Sequence, residues 1–216
     1  MIPIVSIVGR SGSGKTTLME QVVRRLTDKG YRVGAIKHDV HGFEIDHEGK
    51  DSWRHKRAGA RTVVLSSRRK MAVVKDVTRE WPLERLAASF THDHDIVITE
   101  GYKKSPYPKI EVVRKACSLK PLCMKDRHLI AIASDIKTRG KVPRFDINDP
   151  EGVADFIEER FLGSPVSEGA TLVVDGKVVT LKPFIEALVK ESIRGIVKSL
   201  KGCSNPREIE IKIRKG

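Results

Sequence analysis

The 216-residue chain predicts an α/β fold with a mostly parallel, mixed sheet flanked by helices, followed by a small ββαβ unit. Three observations carry that reading. Short, nearly continuous apolar runs, such as Ile4-Val5-Ser6-Ile7-Val8 and Ile96-Val97-Ile98-Thr99, suit strands buried on both faces. Between such runs, apolar residues recur at helical spacing, as in Leu18, Met19, Val22, Val23 and Leu26. Gly163-Ser164-Pro165 reads as a linker, so the chain divides into 1–164 and 165–216.

The elements follow in order. The first apolar run ends at Gly9, and the first helix stops near Gly30. A second strand spans Tyr31 to Lys37. The segment from His38 to Lys50 is too rich in His, Asp, Glu and Gly for a regular element. Asp51 to Ala58 forms a short helix. The β-rich runs 62–66 and 71–74 flank Ser67-Arg68-Arg69-Lys70, which predicts a hairpin and makes the sheet mixed. Pro82 to Phe90 is a helix with Leu83, Leu86 and Ala87 inward, and strands follow at 96–99, 110–113 and 129–133. Asn148-Asp149-Pro150 opens a helix with a capping side chain and a proline in the first turn. In the appendage, a hairpin turns at Asp175-Gly176 and a helix runs from Pro183 to about Lys201, with Phe184, Leu188, Ile193 and Val197 inward. Ile209, Ile211 and Ile213 alternate with charged residues as in a half-exposed strand.

Composition limits the function. Lys and Arg number 41 against 28 Asp and Glu, a net charge of +13, which favours anionic partners. Aromatic residues are only 5%, with no stacking platform or recognition helix, which argues against nucleic acid. No apolar run is long enough to span a membrane, and the N-terminus lacks signal-peptide features. Cys117, Cys123 and Cys203 have no metal-like spacing, so the expected compartment is a reducing cytoplasm.

Gly9-Arg10-Ser11-Gly12-Ser13-Gly14-Lys15-Thr16 matches G-x-x-x-x-G-K-[ST] in full, between a strand and a helix. The core is therefore expected to be that of a P-loop NTPase. The glycines let the backbone approach phosphate oxygens, and successive N–H groups gather at a helix N-terminus. Lys15 is the expected catalytic cation at the β- and γ-phosphates, and the Thr16 hydroxyl is expected to ligate Mg²⁺. The metal needs a carboxylate at a strand end on the same edge. Glu100 closes the 96–99 strand on that edge, whereas Asp95 opens it on the opposite one. His38, His41, His47 and His55 match no common zinc template, and the carboxylates among them suit Mg²⁺ better.

Three segments together resemble the molybdopterin-guanine dinucleotide biosynthesis protein B family. They are G-R-S-G-S-G-K-T-T-L, K-H-D-V-H-G-F-E-I-D-H-E-G-K-D-S-W-R-H-K-R-A-G-A and V-I-T-E-G-Y-K. The resemblance covers about residues 1 to 162, and the middle segment is the most specific. It implies a homodimeric GTP-binding adapter with weak GTPase activity. Such a protein assists attachment of GMP to molybdopterin and works with the guanylyltransferase of that pathway. The resemblance carries phosphate binding onto Gly12, Ser13, Gly14, Lys15, Thr16 and Thr17, with Gly9 and Arg10 in the same loop. It places metal or phosphate contacts on Asp46 and Glu100.

Two features depart from what the resemblance leads one to expect. No N-K-x-D guanine-reading motif is present; Asp135 is the nearest substitute, and an ordinary strand-end turn explains it equally well. The appendage lies outside the resemblance. Between Tyr31 and Lys75 there are 11 Lys or Arg against five Asp or Glu. Arg54, Lys56, Arg57 and Arg61 could there bind a pterin phosphate or form a solvated helix face. The alternative function on the same scaffold is a small-molecule kinase in cofactor metabolism.

Overall fold

The computed structural model describes residues 2–91, 93–138, 140–163, 170, 172–174, 177–206, 209, 211 and 213. In chain order the elements are β1 (Ile4–Gly9), α1 (Lys15–Asp28), β2 (Val33–Lys37), α2 (Asp51–Arg57), β3 (Thr62–Ser66), β4 (Met71–Lys75) and α3 (Leu83–Phe90). They continue with β5 (Ile96–Glu100), β6 (Lys109–Val113), β7 (Leu129–Ser134), β8 (Arg144–Asp146), α4 (Pro150–Phe161), β9 (Leu172–Val174), β10 (Lys177–Val179) and α5 (Pro183–Lys198).

Six strands form one sheet in the order β2-β5-β1-β6-β7-β8. Every pairing in it is parallel. The β3–β4 hairpin forms where expected but as a separate two-stranded sheet, so the main sheet is not mixed by it. Strand β8 has no counterpart in the sequence reading, because three residues with no apolar run carry no periodic signal. It sits at the sheet edge beside β7.

The central strands are buried throughout, as their continuous apolar runs require. On one face, Leu18, Val22 and Leu26 of α1 and Val153, Ala154 and Ile157 of α4 pack with Val5, Ile7, Ile98 and Ile110. Leu83 and Ala87 of α3 pack with Ile4 and Val97 in a second cluster. A buried hydrogen bond from Thr99 Oγ1 to Ser6 Oγ, 2.9 Å, ties β5 to β1. Helix α4 starts as anticipated: Asp149 Oδ1 accepts from the Gly152 N–H at 2.8 Å, and Pro150 stands in the first turn.

Two fully buried charged residues lie on β6. Lys109 Nζ pairs with Asp126 Oδ2 at 2.9 Å and also donates to the Ser105 carbonyl. Glu111 accepts the N–H groups of Leu122 at 2.5 Å and Cys123 at 2.8 Å. Both side chains tie neighbouring loops to the sheet.

The appendage departs further from expectation. Its hairpin strands pair as anticipated, but the Asp175-Gly176 turn lies outside the described residues, as do Ser164 and Pro165 of the linker. Phe184 and Leu188 of α5 are exposed, and no described residue of this helix is buried. The alternating stretch 209–213 lies partly outside the described residues. No helix among the described residues is long and apolar enough to cross a membrane.

Two outcomes follow from this packing. Asp149→Ala should cost about 1 kcal/mol of stability in urea unfolding, the usual loss for an N-cap; an unchanged midpoint would show that α4 does not use it. The His128 backbone N–H and then Lys109 hold the Asp126 carboxyl down at about 2. Its folded value is depressed, so the stability it contributes is present above the ordinary value of 3.8 and is lost as pH falls toward 2. Asp126→Asn should flatten that part of the acid limb; an identical acid loss in the variant would contradict the assignment.

Candidate phosphate-binding site

Parallel pairing gathers the C-terminal ends of all six strands on one edge, where ligands bind in open α/β sheets. At Gly9 the chain leaves β1 with φ 153°, and a Cβ there would stand 2.6 Å from the Val112 carbonyl oxygen. Only glycine passes. Gly12 and Gly14 also have positive φ, so the loop curls back to the start of α1. No side chain caps α1, which leaves the N–H groups of its first turn directed at the loop.

Lys15 Nζ donates to the Arg10 carbonyl at 2.8 Å, across the loop. Burial pushes the Lys15 ammonium below its ordinary pKa, and the nearby Glu100 charge opposes that shift. Thr16 Oγ1 donates to Glu100 Oε2 at 2.9 Å. The two lie 84 positions apart in sequence and meet because β5 pairs with β1 in parallel. Asp95, at the other end of β5, accepts from the Arg32 backbone N–H and guanidinium. Arg32 holds its carboxyl below the ordinary range. The two carboxylates of this strand thus serve opposite edges.

Around Glu100 the chain is tightly packed. A Cβ on Gly101 would meet His38 Cβ at 3.1 Å, and Tyr102 is the only non-glycine with positive φ among the described residues. The His38 ring stacks on Tyr102 at 4.6 Å and its Nε2 lies 2.9 Å from Glu80 Oε1. His41, His47 and His55 are exposed.

The remaining residues singled out from the sequence fall in different places. Thr17 is exposed at the start of α1, and Arg10 is exposed on the loop. Ser13 is buried, with its hydroxyl unpartnered. Asp46 Oδ1 accepts from the His47 N–H at 2.9 Å and the Ser52 hydroxyl at 3.0 Å, which braces the entry to α2. No described contact joins Asp46 to the Thr16–Glu100 pair. Asp135 Oδ1 accepts the Lys115 N–H at 2.7 Å, beside the loop. Lys56 is committed to Asp76 and the Ala60 carbonyl, while Arg54, Arg57 and Arg61 are exposed.

No group of three or more His, Cys, Asp or Glu converges among the described residues. A hydroxyl and one carboxylate are nonetheless an appropriate protein share for Mg²⁺, which keeps several waters and takes phosphate oxygens. Zinc would need a fuller nitrogen or sulfur set.

The sequence reading missed the loop after β6. Arg114 guanidinium atoms lie 3.5–3.9 Å from where a Gly14 Cβ would be, and Cys117 Sγ lies 3.7 Å from the equivalent point on Gly12. No local pattern marks either residue; only the β1–β6 pairing brings them to the loop.

A family model described as molybdopterin guanine dinucleotide synthesis protein B matches residues 4–135. The chain belongs to this family. The molybdopterin-guanine dinucleotide biosynthesis adapter protein of Haemophilus influenzae is 39% identical over 158 residues, 73% of this chain and 88% of the relative. A putative adapter protein of Methanocaldococcus jannaschii is 27% identical and covers 97% of both chains, appendage included. The crystal structure of Bacillus subtilis MobB matches with TM-score 0.61 and 29% identity, over 76% of this chain and 100% of its own. The P-loop, β5 and Asp135 all lie within the part the family model spans, whereas α4 and the appendage lie beyond it.

Lys15→Ala should weaken triphosphate binding and abolish turnover without unfolding the protein, because the lysine supplies charge from a surface loop with little packing. Wild-type affinity in that variant, by calorimetry under Mg²⁺, would overturn the phosphate-loop assignment. Glu100→Gln should raise the Mg²⁺ midpoint for triphosphate binding, while Asp95→Asn leaves it within about twofold and instead lowers stability by about 1 kcal/mol. A shift in the midpoint for Asp95→Asn alone would place the metal on the wrong edge.

Proposed function

We propose that this chain binds GTP with Mg²⁺ at the loop 9–16, hydrolyses it slowly, and acts as a homodimeric adapter that assists attachment of GMP to molybdopterin. The adapter role in molybdopterin-guanine dinucleotide biosynthesis follows from the family. The observation that carries the nucleotide reading is the Thr16–Glu100 hydrogen bond beside Lys15. It sets a hydroxyl, a carboxylate and an ammonium at one rim, the donor set that a Mg²⁺-bound phosphate chain requires.

Lys15 would release the Arg10 carbonyl and bridge the β- and γ-phosphates. Mg²⁺ would neutralise developing charge on those phosphates, held through Thr16 and Glu100. The loop residues 9–17 contain no glutamine to orient a water, and Arg10 is their only arginine. Missing parts of this kind cost on the order of 10³ to 10⁵ in rate, which supports slow turnover and a role in delivering GTP to the guanylyltransferase.

Two surfaces support the remaining parts of the proposal. The hairpin β3–β4 leaves Val64, Met71 and Val73 exposed on one of its faces, an apolar strip suited to a second copy of the chain. Arg54, Arg57 and Arg61 are exposed near α2 and suit a pterin phosphate.

Purified protein should hydrolyse GTP well below about 1 s⁻¹. In a reconstitution with guanylyltransferase and molybdopterin at limiting GTP, it should raise the yield of the guanine dinucleotide. No gain at any GTP level, with fast phosphorylation of a small acceptor, would replace this reading by a kinase.

A further inference from the structure

The connections of the sheet diverge between β1 and β6. The chain leaving β1 crosses through α1 to β2 on one side, whereas the chain leaving β6 proceeds to β7 on the other. The crevice between the loops after these two strands is the topological switch point, where an open parallel sheet receives its ligand. One wall is the loop from Arg10 to Gly14. The other is the segment from Arg114 to Lys120, and Arg10, Ser13, Arg114, Cys117 and Lys120 line the space between.

This second wall is held from three directions. The buried Glu111 carboxylate accepts the N–H groups of Leu122 and Cys123. Asp135 accepts the Lys115 N–H, and the Arg114 carbonyl accepts from Cys117 and Ser118. The guanidinium of Arg114 is thereby set against Gly14, at 3.5–3.9 Å from its notional Cβ. It is half-buried and has no ion pair or hydrogen bond from its side chain among the described residues. Across the crevice, Ser13 Oγ is buried to 1% exposure and has no partner either. A half-buried guanidinium without a counter-ion, beside an unpartnered hydroxyl, is a seat for an anion. The space these residues enclose is water-sized, so a phosphate would have to sit at its rim rather than within it.

Direction along the phosphate chain is set by Thr16 and Glu100. They lie on the β5 side, and the metal they suit bridges the β- and γ-oxygens. The third phosphate then falls on the β6 side. We propose that Arg114 is the contact for the α-phosphate of the bound nucleotide, the phosphate that a diphosphate and a triphosphate share. This rests on the nucleotide reading given above and adds a binding residue to it.

The test is calorimetric binding of GTP, GDP and tripolyphosphate, each with Mg²⁺, to wild type, Arg114→Ala, Arg114→Lys and Lys15→Ala. Arg114→Ala should weaken GTP and GDP by a similar factor of about tenfold or more, the scale of one charge-assisted hydrogen bond. Arg114→Lys, which retains the charge, should recover part of the loss and guards against a folding defect in the alanine variant. Lys15→Ala should weaken all three. A loss for GTP with none for GDP, or no loss for either, in Arg114→Ala would overturn the proposal. Failure of the nucleotide reading looks different: GTP would bind no better than tripolyphosphate, while the dependence on Arg114 persisted.

Discussion

Parallel pairing of β1 with both β5 and β6 is the constraint on which the rest of the structure depends. Each parallel neighbour delivers its C-terminal loop to the same edge, so one central strand acquires a flank on either side of its own loop. On the β5 flank stand Glu100 and the packed turn at Gly101–Tyr102; on the β6 flank stand Arg114 and Cys117. An antiparallel neighbour would have sent its loop to the far edge. The burial of α1 and α4 on one face and α3 on the other supplies the stability that such a sheet requires, since parallel pairs must be covered on both sides.

The central fold was legible because its strands are short, continuous apolar runs and its helices keep a clear 3.6-residue period. Local chemistry also placed Asp149 as a cap and Lys15 and Thr16 at the loop. What escaped the sequence is non-local or aperiodic. Strand β8 is only three residues with no apolar run, and the partners of the β3–β4 hairpin could not be read from alternation that states only a period. Arg114 belongs to no motif, and its place beside Gly14 is a product of strand order. Lys56 looked like part of a free basic face, yet Asp76, 20 residues away, takes it.

The appendage shows the limit of pattern reading most plainly. Alternating Ile209, Ile211 and Ile213 have the period of a strand, but a period alone supplies no neighbour to complete the ladder. The amphipathic pattern of α5 was equally clear, and Phe184 and Leu188 are exposed all the same. Periodicity states which face could be covered; the cover itself must come from elsewhere in the chain or from another molecule.

The ion pair at the start of β5 has a consequence for the other end of the strand. Ile96, Val97 and Ile98 are buried on both faces, so sliding the strand by one residue would still bury apolar groups and would meet little resistance from them. Asp95, held by the backbone and guanidinium of Arg32, and Thr99, bonded to Ser6, act as two stops that forbid the slide. They fix a gauge length of five steps along the chain from Asp95 to Glu100, and that length brings the carboxylate to the Thr16 hydroxyl. The edge farthest from the ligand thereby sets the alignment of the edge that holds it.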